Sequence, residues 1–193
     1  MKILISGFKP FLGETINPSE LLIQSIKKNH PQIVTTVLPV EFQTAFTILK
    51  NKILKEQPEY VIMLGQASGR KNISLEKIAL NWIQTTHPDE SGFHPKKGKI
   101  NAQSELALMT QFPLDEIYEK LKAQSLPIEI SFSAGAYVCN DLYYKVLIEF
   151  KNLKSVFIHV PLLPDQTKID DLRPVMEFEI MEKTISEIVE NLS

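Results

Sequence analysis

Apolar side chains in this 193-residue sequence follow two rhythms. Short unbroken runs at residues 2–6, 33–40, 60–64, 128–132 and 155–160 predict strands buried on both faces, and residues 73–82 form a longer β-like stretch. Between them, apolar residues recur every three or four positions, the spacing of a helix with one buried face. Residues 18–28 carry Leu21, Leu22 and Ile26 in this way, and residues 44–55 carry Ala45, Ile48, Leu49, Ile53 and Leu54. Further helices are predicted at 114–123, at 141–150 with Leu142, Val146, Leu147 and Phe150 inward, and at 174–192 with Met181, Ile185, Ile188, Val189 and Leu192 inward. Pro18 in the first turn, with Asn17 or Ser19 as cap, starts the first helix. This alternation predicts a single α/β domain spanning residues 1–193, with a mainly parallel central sheet covered by helices on both faces.

Residues 84–112 break the rhythm. Pro88, Gly92, Pro95 and Gly98 punctuate a stretch of weak periodicity, read as an irregular excursion from the core and the segment expected to move most. A loop of that length in a compact domain signals function or disorder more often than filler.

Composition narrows the classes. With 21 basic against 23 acidic side chains and no basic cluster, the chain has no long-range attraction for phosphate backbones, so no nucleic acid partner is expected. No apolar run approaches the roughly 18 residues of a membrane span, and the opening MKILISGFKPFLG is too short and too broken for a signal peptide. One cysteine forms no internal disulfide. Together these features predict a cytoplasmic protein without membrane attachment. The four histidines show no structural zinc spacing, and GQASGRK lacks phosphate-loop spacing, so neither metal nor cofactor is expected.

In a parallel α/β sheet, ligands gather beyond the carboxyl ends of the strands. The loops there begin near Gly7, Gly65, Ser133 and Pro161. Cys139, in SAGAYVCNDLYY, follows a predicted strand and directly precedes a predicted helix. The positive end of a helix favours thiolate over thiol, and its free N–H groups suit an oxyanion. A lone cysteine also serves as an inert small hydrophobe. His159, in FIHVPLLPDQ, ends an apolar strand, where an imidazole needs partners whether it acts or merely packs. Glu76, in NISLEKIALNW, falls on the face opposite Leu75. It either pairs in solvent with Lys71 or Lys77 or receives a histidine's second N–H. Phe8 and Phe11, three residues apart beside a strand end, suit a binding pocket or an ordinary core.

The segments GFKPFLGETINPS, GQASGRKNISLEKIALN, SAGAYVCN and FIHVPLLPDQ, in this order, resemble those of the pyroglutamyl peptidase I family. The resemblance spans nearly the whole chain. It implies a phosphorylase/hydrolase-like α/β fold and cysteine exopeptidase chemistry that removes an N-terminal pyroglutamyl residue from peptides. Carried over by motif, Cys139 is the nucleophile, His159 the base and Glu76 the acid. Phe8, Phe11, Gln66, Tyr137 and Val138 correspond to the substrate pocket. The resemblance further implies a homo-oligomer, dimer or tetramer. The chain departs from the family pattern at Leu12 and Ser68, where many members carry glycine, and at Thr86, where bacterial members often carry arginine. Two other readings of the same fold are a non-catalytic module for blocked peptide N-termini and a nucleoside phosphorylase-like enzyme. The latter requires an anion site and a ribose-binding acid, neither of which is visible in the sequence.

Overall fold

The computed structural model describes residues 1–168 and 170–192. Six strands, β1 (Ile3–Phe8), β2 (Val34–Leu38), β3 (Tyr60–Gln66), β4 (Ile73–Glu76), β7 (Ile128–Ser131) and β8 (Lys154–Val160), form one sheet in the order β2-β1-β3-β8-β4-β7. All neighbours run parallel except β4 and β8. Two short strands, β5 (Ile78–Leu80) and β6 (Ala107–Met109), form a separate antiparallel pair.

Side-chain alternation along the strands builds two cores. Ile3, Ile5, Ile62, Leu64, Ile158 and Val160 face one side, with α1 (Pro18–Asn29), α3 (Leu114–Ala123) and α5 (Phe178–Glu190) packed over them. Leu4, Phe8, Val61, Met63 and Phe157 face the other, beneath α2 (Phe42–Glu56) and α4 (Val138–Glu149). The expected two-sided α/β architecture is therefore present.

Several boundaries move, each for a local reason. The β-like stretch 73–82 divides at Lys77, whose N–H donates to Ser131 O in the large sheet (2.7 Å) while its carbonyl accepts from Thr110 N beside the small one (3.1 Å). α2 begins at Phe42, earlier than expected, and its cap Glu41 makes no side-chain bond. Asp89 supplies the missing acceptor from 47 residues away, taking the Phe42 N–H at 3.1 Å. The inward face of α2 is also narrower than its spacing suggests, since Ile48 and Leu54 are exposed. α5 starts at Phe178 because the chain just before it is held extended: Val175 bridges to Leu162, and the Met176 N–H donates to Leu162 O.

The stretch 84–112 contains β6 and is tied back at several points. Ile83 and Gly98 form a bridge, Gln84 N–H donates to Ala136 O (3.0 Å), and Glu90 N–H donates to Val40 O (3.1 Å). Asp89, almost fully buried, accepts from the N–H groups of Phe42, Ser91 and Phe93 and from Ser91 Oγ.

Candidate active site

The carboxyl ends of β1, β3 and β8 and the start of α4 surround a cavity of about 170 Å³. Gly7 allows α1 to close against β1: a Cβ there would lie 2.4 Å from Ser19 O. Ser19 Oγ accepts from the Phe8 N–H at 2.9 Å, and Asn17 caps α1 by accepting from the Ser19 N–H. These contacts fix the GFKPF turn, and Phe8 and Phe11 form one wall of the cavity. Tyr137, Ala134, Gly135 and Ala136 form another, and Gln66 and Asn17 supply polar edges. Among the described residues no carboxylate lines the cavity. A larger depression of about 320 Å³ beside Leu147 and Lys151 holds neither thiol nor imidazole.

Cys139 and His159 both line this cavity. Cys139 is not the residue before the helix, as the sequence suggests, but the second residue within it, because α4 begins at Val138. Gly65 brings the two groups together. It is paired with His159 across the β3–β8 ladder, and a Cβ on it would sit 3.2 Å from Cys139 Sγ.

The thiol is only partly exposed. Its burial, and secondarily the negative charge of Glu76, push it up to about 12, against a weaker opposing bond from its own backbone N–H. Burial therefore outweighs that bond, which comes from the first turn of α4.

Glu76 does not pair in solvent. It is fully buried, and His159 Nδ1 lies 2.8 Å from its Oε1. Lys77 instead pairs with Asp115. The reversed direction of β4 explains the placement. Ser74 stands opposite His159 and Glu76 opposite Phe157, so the carboxylate meets the imidazole diagonally on the same face of the sheet. Because a carboxylate only accepts, Nδ1 carries the proton and Nε2 is left as an acceptor.

Of the other sequence-predicted site residues, Phe8, Phe11, Gln66 and Tyr137 line the cavity. Val138 departs from the expectation, its side chain lying fully buried in the core beneath α4. Tyr137 is pushed up to about 12 by burial and then by Asp89, Glu90 and Cys139, so its hydroxyl stays protonated and donates to Pro88 O at 2.7 Å. Ser68 accepts from Arg173 at 3.3 Å, and Thr86 is exposed on the segment beyond β5.

Sequence reasoning treated Asn17 only as a cap and passed over Arg70. Arg70 Nη2 lies 3.3 Å from Glu76 Oε1, and Gln166 Nε2 donates to Gln66 Oε1 at 2.8 Å. An arginine next to Lys71 reads as solvated, and only its position at the end of GQASGR hinted otherwise.

A neutral thiol beside an oriented imidazole, with a buried carboxylate behind it, has the chemistry of a thiol-dependent acyl-transfer enzyme on an α/β scaffold. The description of the pyroglutamyl peptidase family matches residues 1–192. The chain is similar to the pyrrolidone-carboxylate peptidase of Lactobacillus acidophilus, at 42% identity covering 96% of each protein. The solved pyrrolidone carboxyl peptidase of Fervidobacterium islandicum superposes with a TM-score of 0.92 at 32% identity, covering 100% of this chain and 98% of that one. Pyroglutamyl peptidase I of Bacillus amyloliquefaciens gives 0.89 at 31% identity, covering 97% and 94%. This chain belongs to the pyroglutamyl peptidase family.

Proposed function

We propose that the cavity hydrolyses the amide bond after an N-terminal pyroglutamyl residue, with Cys139 as nucleophile, His159 as acid–base and Glu76 as the group that orients the imidazole. The observation that carries this reading is the lining itself: a thiol and an imidazole face a small, largely apolar space that no carboxylate among the described residues lines. Pyroglutamate is a neutral lactam with no α-ammonium group. A peptide with a free amino terminus would bury its charge there unpaired, at a large cost in free energy. The aromatic faces of Phe8, Phe11 and Tyr137 suit a flat ring, and Gln66 offers a polar group to the lactam edge.

Catalysis starts from the neutral thiol. His159 Nε2 takes the Sγ proton as sulfur adds to the carbonyl carbon, and Glu76 stabilises the resulting imidazolium. The N–H groups in the first turn of α4 receive the oxyanion. The imidazolium then protonates the leaving amine, giving a thioester. His159 next deprotonates water, which adds to the thioester carbonyl and releases pyroglutamate and the free thiol. The single free thiol is in keeping with a reducing, cytoplasmic setting, and oligomeric assembly is proposed by analogy with the family.

Turnover of a fluorogenic pyroglutamyl amide by wild type and Cys139→Ala tests the proposal. The substitution is expected to lower kcat by on the order of 10⁴-fold or more. A pyroglutamyl aldehyde should also protect the wild-type thiol from alkylation. Undiminished turnover by Cys139→Ala, or binding of the amide without turnover by wild type, overturns the reading.

A further inference from the structure

We infer that Arg70 is a positioning residue for the reaction, holding the acid in register with the loop that walls the substrate cavity; this rests on the peptidase reading above. Glu76 binds through one oxygen only. Its Oε1 meets both His159 Nδ1 at 2.8 Å and Arg70 Nη2 at 3.3 Å, whereas Oε2 is buried without a hydrogen-bond partner among the described residues. A carboxylate tethered only by the histidine would be free to turn and exchange oxygens. A second donor on the same oxygen removes that freedom.

The guanidinium reaches further than the acid. Nη2 also approaches Ser131 Oγ and Ser133 O, each at 3.1 Å, and Ser133 opens the turn that carries Ala134, Gly135 and Ala136 to the cavity wall. Nη1 contacts Glu129 Oε1 at 3.4 Å, and Glu129 is itself held by Ser74 Oγ at 2.7 Å and Asn72 Nδ2 at 3.3 Å. Arg70 thus joins the loop after β3, the acid on β4 and the end of β7 in one fork, a geometry that lysine, as a point charge, does not reproduce. Its side chain is 32% exposed, so the fork is open to solvent on one side.

The charge acts as well as the shape. The titratable groups facing Glu76 and His159 are Arg70, Glu129 behind it on β7, and Cys139 and Tyr143 from α4, the Tyr143 hydroxyl donating to Glu76 O at 2.8 Å. Among these described groups Arg70 is the cation, and it offsets part of the negative charge of Glu76. Removing it leaves the site more negative, so the acidic limb of activity moves upward.

The test is the pH profile of kcat/KM on a pyroglutamyl amide for wild type, Arg70→Ala and Arg70→Lys, with folding checked by circular dichroism. Arg70→Ala is expected to lower kcat by roughly 10- to 100-fold with a much smaller change in KM, and to shift the acidic limb upward. Millimolar guanidinium should restore part of the rate, because the site is open to solvent. Arg70→Lys should keep the limb near its wild-type position at a reduced kcat, and it carries the test if Arg70→Ala does not fold. A folded Arg70→Ala with an unmoved limb and no response to guanidinium overturns the inference. So does Arg70→Lys with wild-type kcat. A wild-type protein that leaves the amide intact overturns instead the peptidase reading on which the inference rests.

Discussion

Cys139 is the chain's only cysteine, so every thiol measurement reports on this one group. Burial and the neighbouring Glu76 charge hold it protonated up to about 12. Its alkylation rate should therefore keep rising with pH without levelling off near about 8.5, the ordinary thiol value. A plateau below neutrality would instead reveal a preformed thiolate–imidazolium pair. The sign carries into stability. The folded state keeps a proton that the unfolded chain gives up near about 8.5, so the thiol's contribution is intact below that value and is lost as pH rises toward about 12. Leu12 shows how a residue with a side chain is held in backbone that favours glycine. It sits in left-handed backbone at φ 53°, where glycine is unstrained, and the residue is 60% exposed. Glu90 Oε1 accepts its N–H at 2.9 Å, which helps hold a conformation that leucine disfavours.

Gly7 and Gly65 are needed because of what approaches them. At Gly7 the obstacle is backbone, Ser19 O, and Gly7→Ala must part α1 from β1. At Gly65 a Cβ would meet Phe157 Cζ at 2.7 Å and press on the Cys139 sulfur. Gly65→Ala is expected to cost about 1–3 kcal/mol by overpacking, with Gly7→Ala costing more. Gly65→Ala should also lower kcat at temperatures where the protein stays folded. Thermal melts paired with assays separate the two effects, and equal activity losses at matched stability would argue against the distinction. The elements themselves were largely legible in the sequence. Runs such as 60–64 and 155–160 are apolar because both faces of the sheet are covered, and the spacing in 114–123 gave α3 with the same bounds. What escaped was set by distant partners. Asp89 starts α2 from across the chain, and the turn of the backbone at Lys77 depends on Ser131 and Thr110. In the site, the sequence motifs brought Glu76, Cys139 and His159 into view. The shared oxygen on Glu76, the core burial of Val138 and the part played by Arg70 depend on pairing across strands, which local spacing does not encode.

The segment beyond β5 supports the cavity from behind, through the Tyr137 hydroxyl that donates to Pro88 O, and Asp89 ties that segment to the start of α2. Burial alone would raise this carboxyl, but bonds from Ser91, Phe42 and Phe93 outweigh it and hold it below the usual range. Its contribution is therefore complete above about pH 4, the ordinary carboxylate value, and is lost as pH falls through the lower folded value. Asp89→Asn is expected to raise KM severalfold, because Pro88 holds Tyr137, with a smaller effect on kcat. Pepsin digestion at stepped acid pH should cut within residues 84–98 before the sheet, and first cuts elsewhere would contradict this anchoring. One further consequence follows from the reversed strand. β7 joins the large sheet through β4 alone, and β4 carries the carboxylate that aligns the imidazole. Local opening is easiest away from the core strands, and this rim lies one strand from the acid. Activity is therefore expected to fall at a lower temperature than the main unfolding transition, and coincident losses of activity and fold on heating would contradict this.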